Sequence, residues 1–437
     1  MANRSPTISR RAFCAATTAA LLRAPSLLRA ESQPQPEPQP QTPPSTLSPT
    51  HPDIAALDHD RILAAAAPLL PHVPAPITDY PSRRSPGTPN DFYSEPENAY
   101  PDPASPGAPW QLRPTGPPNP NAFTDHRDLV FNFAYTVAAL AAAFALTQDD
   151  RYATRAAAHL RAWFLTPATR MNPSLELCDR IPHAPTTRLE ARFEGILATV
   201  PLAEVAQAIP FLAASTAPGA LTPAELTGLH AWFAAYLQWL ADSRLANLAR
   251  DNKDHHASSW LFQSAAFARF NVTGLTSDDA TLEALRHRFR ATVLRAQVNA
   301  NGFFPHELST PNPYRNSLLN LDLLAAACDL LSTRFESAWD FELQDGPGMR
   351  AVLANLVPFI ARPASWPYPA DAAFFKLLPG RRPSLLFAGR AYKRPEYTNL
   401  WQSLPPIPAT APPEILRSLP ITQPLLWIAH PKPVPPA

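Results

Sequence analysis

Glycine is scarce in this chain of 437 residues, at 12, and lysine is scarcer, confined to Lys253, Lys376, Lys393 and Lys432. Neither a phosphate-cradling loop, nor a dinucleotide fingerprint, nor a G-x-S-x-G elbow can be found, so three common routes to enzyme chemistry drop out. Cysteine occurs three times, as Cys14, Cys178 and Cys328. That is too few for a disulfide framework or a cysteine-built zinc site, and Cys178 and Cys328 read as buried single thiols. Only 17% of residues are charged and the formal net charge is +1. No global field then favours nucleic acid or an anionic membrane; a polyanion would have to be met by local arginine and histidine. Sustained period-two alternation is nearly missing, which disfavours a β-sandwich or β-helix.

Proline, by contrast, is abundant, at 56 residues. Ser9-Arg10-Arg11-Ala12-Phe13 followed by the weakly apolar run Ala15 to Leu22 reads as a twin-arginine export signal, with Leu28-Arg29-Ala30 as a cleavage site. The expected organisation is a signal over 1–30, a Pro/Gln-rich linker over 31–53 and one domain over 54–437, in the periplasm or secreted. No later stretch reads as a membrane span. Positions 68–122, dense in Pro, Gly and Asn, read as an irregular arm lying on the domain and crossing the mouth of its cleft.

From Thr124 onward the pattern is helical. Leu129, Phe133, Val137, Leu140 and Phe144 share one helix face. Thr222-Pro223-Ala224-Glu225 is a capping box with proline at the first helical position, opening a stripe of Leu226, Leu229, Phe233, Leu237 and Leu240. Further stripes run from Leu282 to Ala296, with Asp278 or Asp279 as cap, and from Leu321 to Leu331. Helices of this length joined by mixed loops indicate an all-α domain of stacked hairpins. Periodicity does not separate a closed toroid from an open array.

Two polar clusters stand out from the helical stripes. The first is Asn252-Lys253-Asp254-His255-His256 ahead of an apolar helix. Asp254 suits an N-cap, and a helix N-terminus keeps the two imidazoles neutral, able to act as bases or to polarise a carboxylate. Adjacent histidines diverge by about 100° around a helix, which suits poorly a shared metal. The second cluster, Pro305 to Leu318, is a loop leading into a helix whose start Tyr314 and Arg315 flank; Tyr314 can exchange a proton and Arg315 can bind a carboxylate bidentately. The plain alternatives are a solvated helix cap and a rigid connector. Scattered Asp and Glu also leave a two-carboxylate glycosidase open.

The chain resembles the helical alginate lyases of the α/α-toroid type. Trp163-Phe164-Leu165-Thr166-Pro167-Ala168-Thr169-Arg170-Met171-Asn172-Pro173 is very close to the family's W-F-L-D-P-A-T-R-M-N-P. Asp91-Phe92-Tyr93-Ser94-Glu95, Asp125-His126-Arg127, Arg192-Phe193-Glu194-Gly195-Ile196 and Asp254-His255-His256-Ala257-Ser258-Ser259-Trp260 follow other family motifs. The resemblance implies an (α/α) toroid or incomplete barrel with an irregular Pro-rich N-terminal arm. It also implies β-elimination on a uronate polymer, with no cofactor and no metal. His256 falls on the catalytic histidine and His255 on a carboxylate-binding asparagine. Thr310 falls on the family arginine and Asn316 on the catalytic tyrosine, which are departures. The expected catalytic residues are therefore His256 and a relocated Tyr314, with His255, Arg315, Arg192, Asn252, Tyr93 and Tyr100 binding substrate. The expected partner is an acidic polysaccharide, and the expected state a monomer. A non-catalytic glycan-binding relative and a helical glycoside hydrolase are the alternatives.

Overall fold

In the computed structural model the apolar stripes become two concentric rows of helices. The structure describes residues 53–114, 116–184, 191–272, 280–344, 348–370, 375, 380–407 and 413–431. The expected signal, the expected linker up to residue 52 and the Asp278/Asp279 cap lie outside these residues. Five helices are buried on nearly every side: Asp125–Thr147, Leu202–Leu212, His255–Asn271, Pro313–Leu331 and Pro383–Ala391. Each packs against the next in this order. An all-round apolar helix belongs in an interior, and these form the inner row. Between them in sequence come one-sided helices of the outer row, Asp150–Leu160, Pro223–Asp242, Ala280–Arg288 and Met349–Ala361, and a fifth, Pro395–Ser403, follows the last inner helix. This alternation of inner and outer helices is the toroid plan.

Local signals act as expected. Thr222 and Glu225 form the reciprocal capping box, and Asp254 accepts the His256 N–H. The 305–317 segment leads into a helix as expected and adds one turn within the expected loop. Pro305–Leu308 is one helical turn, and Pro313 already opens the long inner helix, because proline is pre-set for a first helical position. The helical runs Asp125–Thr147 and Phe193–Leu212 are long and apolar enough to span a bilayer, against the expectation that no such stretch exists. In the ring they supply core, with 67% and 83% of their most apolar windows buried.

The end of the chain returns to the beginning of the ring. Leu425–Ile428 packs on the Asp125–Thr147 and Leu202–Leu212 helices. Buried Glu204 accepts the backbone N–H groups of Thr422 and Gln423 and the Thr422 hydroxyl.

Candidate active site

The ring opens into a cleft of about 480 Å³. Its walls come from five places: the arm (Ser94, Glu97, Asn98), the start of the first inner helix (Arg127, Phe131), Asp179 with residues between Arg192 and Val200, the rim formed by His255, Arg315 and Asn316, and a late segment. Glu414, Arg417 and Ser418 from that late segment complete it. A second cavity of about 520 Å³ is lined mainly by apolar groups such as Phe211, Phe270, Leu426 and Trp427, and lacks this concentration of arginine.

The arm wall is held by buried charge. Glu95, with no exposed surface, accepts from Arg84 Nε and Nη2 at 2.6 and 2.7 Å, from the Tyr93 hydroxyl at 2.7 Å and from the Phe123 N–H at 2.8 Å. His126 Nδ1 accepts the Tyr93 N–H at 3.0 Å, so its Nε2–H donates to the Tyr80 carbonyl at 2.9 Å. Burial holds its pKa below the ordinary value. Glu97 is gripped by Arg127 at 2.5 Å and Arg417 at 3.0 Å; despite burial these arginines keep it ionised. Arg417 also pairs with Asp128.

Against the arm, Asp179 donates its N–H to the Ser94 hydroxyl at 2.8 Å, sits at φ 48° and accepts Arg192 Nη1 at 3.0 Å. Burial raises its pKa to about 6, with Arg192 opposing and Glu194 reinforcing. Glu194 takes the other end of Arg192. The turn carrying Glu194 lies against Cys178 because residue 195 is glycine; a side chain there would collide with the thiol.

Two imidazole–carboxylate pairs stand side by side where His255 lines the cleft. His255 Nδ1 bonds Glu307 Oε2 at 2.9 Å, and its backbone N–H donates to Oε1 at 2.6 Å. His256 Nδ1 bonds Asp254 Oδ1 at 2.9 Å. A carboxylate only accepts, so both rings carry hydrogen on Nδ1 and turn Nε2 to other uses. The ring centroids are 4.3 Å apart, and Phe193 meets His256 edge-on at 5.2 Å. Burial and the neighbouring His255 hold the His256 pKa below its ordinary value, against Asp254 and Glu194, so His256 is neutral at pH 7. Burial also disfavours the His255 cation, but Glu307, by hydrogen bond and charge, and Asp254 outweigh it and raise the pKa, with Arg315 opposing. The expectation of two neutral imidazoles thus holds for His256 alone; Glu307 overrides the helix terminus at His255. Ligand atoms of Asp254, His255 and His256 lie within 4.8 Å of one another. With both Nδ1 atoms engaged by carboxylates, the arrangement reads as two hydrogen-bonded pairs rather than a chelate.

The remaining sequence candidates divide. Arg192 and Arg315 line the cleft. Tyr314 does not: it is fully buried, its hydroxyl donates to the Phe359 carbonyl at 2.9 Å, and its ring packs on Trp366 and Phe375. One residue is about 100° of helix, so the turn that aims Arg315 and Asn316 at the cleft aims Tyr314 into the core. Tyr93 is likewise buried, and burial with the Glu95 carboxylate pushes its pKa far up. The Tyr100 hydroxyl donates to the Pro117 carbonyl and its ring carries the Arg113 guanidinium at 4.0 Å. Both are anchors within the arm, and neither lines the cleft. Asn252 caps its own turn by accepting the Lys253 N–H at 2.7 Å. At the departures, Asn316 Nδ2 donates to Thr310 Oγ1 at 3.1 Å. Sequence reasoning missed Glu307 as the His255 partner and Asp179, Glu194, Arg127 and Arg417 as cleft groups. Arg127 and Glu194 sat inside quoted motifs; Arg417 carried no signal.

A family model described as alginate lyase matches residues 77–366. The chain belongs to the alginate lyase family. A crystal structure of an alginate lyase from Bacteroides ovatus is 23% identical, covers 86% of this chain and 93% of its own, and superposes with a TM-score of 0.71. Alginate lyase A1-III from Sphingomonas species A1 is 13% identical over 85% of this chain and 95% of its own, with a TM-score of 0.47. No curated protein sequence matches. The Bacteroides ovatus likeness establishes the toroid fold, and the family is one of polysaccharide lyases.

Proposed function

We propose that this chain cleaves alginate or a related polyuronate by β-elimination, outside the cytoplasm. The observation that carries the reading is His256: a buried, neutral imidazole backed by Asp254, its ring 4.3 Å from that of His255, which lines an arginine-rich cleft in an alginate lyase family member. Elimination needs the uronate carboxylate neutralised so that the neighbouring C5 hydrogen becomes acidic. Arg315 and Arg192 supply positive charge in the cleft, and neutral His256 Nε2 is a base of suitable strength for that hydrogen. Export rests on the Arg10-Arg11 pair; changing both to lysine should leave precursor in the cytoplasm.

A second reading, a glycan binder that does not cut, is favoured by the Thr310–Asn316 hydrogen bond, which occupies the positions where the family resemblance puts an arginine and a tyrosine. One assay separates them. Purified protein is offered a panel of uronate polymers and ultraviolet absorbance of unsaturated ends is followed. Product from any polymer supports the lyase. If none forms, but Asn316→Tyr with Thr310→Arg gains activity, the binding reading stands.

A further inference from the structure

β-Elimination also needs an acid. The departing glycosidic oxygen leaves as an alkoxide, too basic to go unprotonated at neutral pH. Among the described residues no tyrosine lines the cleft. The acid must also be close to the base, because the C5 hydrogen and the C4 oxygen sit on adjacent carbons. One cleft-lining group meets that demand against His256: His255, ring centre 4.3 Å away. Asp179 is the other buried acid in the cleft, but it is committed to Arg192.

We propose that His255, fastened by Glu307, is the general acid that delivers a proton from Nε2 to the departing glycosidic oxygen. The inference rests on the lyase reading above. His256 Nε2 takes the C5 hydrogen as a proton. The electron pair of the C5–H bond becomes the C4–C5 double bond. The C4–O pair leaves with the oxygen, which takes the proton from His255 Nε2. His256 ends protonated and His255 neutral, and one proton passed from the first to the second, directly or through water, restores the start. The two carboxylates keep the rings in register, since each Nδ1 is tied and each Nε2 is left for substrate.

The charged groups facing His255 are Glu307 from the Pro305–Leu308 turn, Arg315 from the Pro313–Leu331 helix, and Asp254 and His256 from its own helix end. Environments that drive two titrating neighbours apart mark an acid and a base, and here His255 is the one favoured as a cation.

The test compares two leaving groups. One substrate is the polymer that wild type cleaves; the other is a uronide carrying a dinitrophenyl ether at C4, whose phenoxide needs no proton. His255→Ala should lower kcat/KM on the polymer about 100-fold or more and on the aryl ether less than about 10-fold. His256→Ala should lower both. Glu307→Gln, which keeps the shape, removes the charge that favours the His255 cation, so the alkaline limb of the kcat/KM profile should move to lower pH. Equal losses on both substrates for His255→Ala, or undiminished polymer cleavage, would overturn the assignment, as would an unmoved alkaline limb in Glu307→Gln. If His255→Ala does not fold, His255→Gln is read the same way. Failure of wild type on every polymer would sink the lyase reading itself, and is seen before any variant is made.

Discussion

The arm and the histidine rim border one cleft and use the same residue types to opposite ends. Under the arm, His126 of the first inner helix spends both ring nitrogens, one on the Tyr93 N–H and one on the Tyr80 carbonyl. Glu95 accepts four hydrogen bonds and Tyr93 gives its hydroxyl to Glu95. At the rim, His255 and His256 each spend one nitrogen on a carboxylate and, among the described residues, neither Nε2 has a protein partner. A polar group with every valence committed is structure; one held firmly by a single tie has a valence left for a ligand. The difference lies in unspent bonding capacity, and residue type does not report it.

Substitutions can break that contrast. The largest effect should come from His256→Ala, with turnover falling about 100-fold or more and the melting temperature nearly unchanged; a variant that still turns over at the wild-type rate would return His256 to the structural class. Next comes Glu95→Gln in the arm. It strips a charge that Arg84 needs, and should lower unfolding free energy by about 2 kcal/mol in denaturant titration, a value reduced because Arg84 keeps contact with water. Its residual turnover, per folded molecule, should stay within a few-fold; a loss as large as that of His256→Ala would erase the distinction.

The pH dependence sharpens the comparison further. A base must be neutral, and the His256 pKa lies below the usual histidine value, so the acid limb of kcat/KM should fall below about pH 6.5. Asp254 favours the His256 cation. Asp254→Asn should therefore move that limb to still lower pH while reducing the plateau; movement to higher pH would contradict the geometry. The smallest effect belongs to Tyr314→Phe, with about 1 kcal/mol lost for one buried hydrogen bond and turnover unchanged. A large kinetic defect there would restore the tyrosine to the chemistry.

The stripes made the helices legible, and the Thr222 and Asp254 caps made their starts legible, because both signals are local. The polar run at 252–256 was legible as a site for the same reason: packing does not call for it. The Glu307 tie to His255 was not, since it crosses 52 residues of sequence and depends on how two helix starts meet. Tyr314 was misjudged through treating neighbours in sequence as neighbours in direction; in the helix that Pro313 opens, Arg315 lines the cleft and Tyr314 turns into the core. The arm's aromatics advertised sugar stacking, yet Tyr93 and Tyr100 satisfy the backbone and carboxylates of the arm itself. Composition gives no means of telling a platform from a peg.

The late segment around Arg417 also sets a schedule. Arg417 and Ser418 belong to the cleft wall, and Thr422 and Gln423 fasten that wall to Glu204, so residues made long after the inner helices finish a surface begun by the arm. Domains fold progressively as synthesis proceeds, but this cleft has no complete perimeter until the segment through Gln423 has emerged. A chain cut short before Glu414 would keep both histidines and most of its helices, and would still lack one side of the cleft.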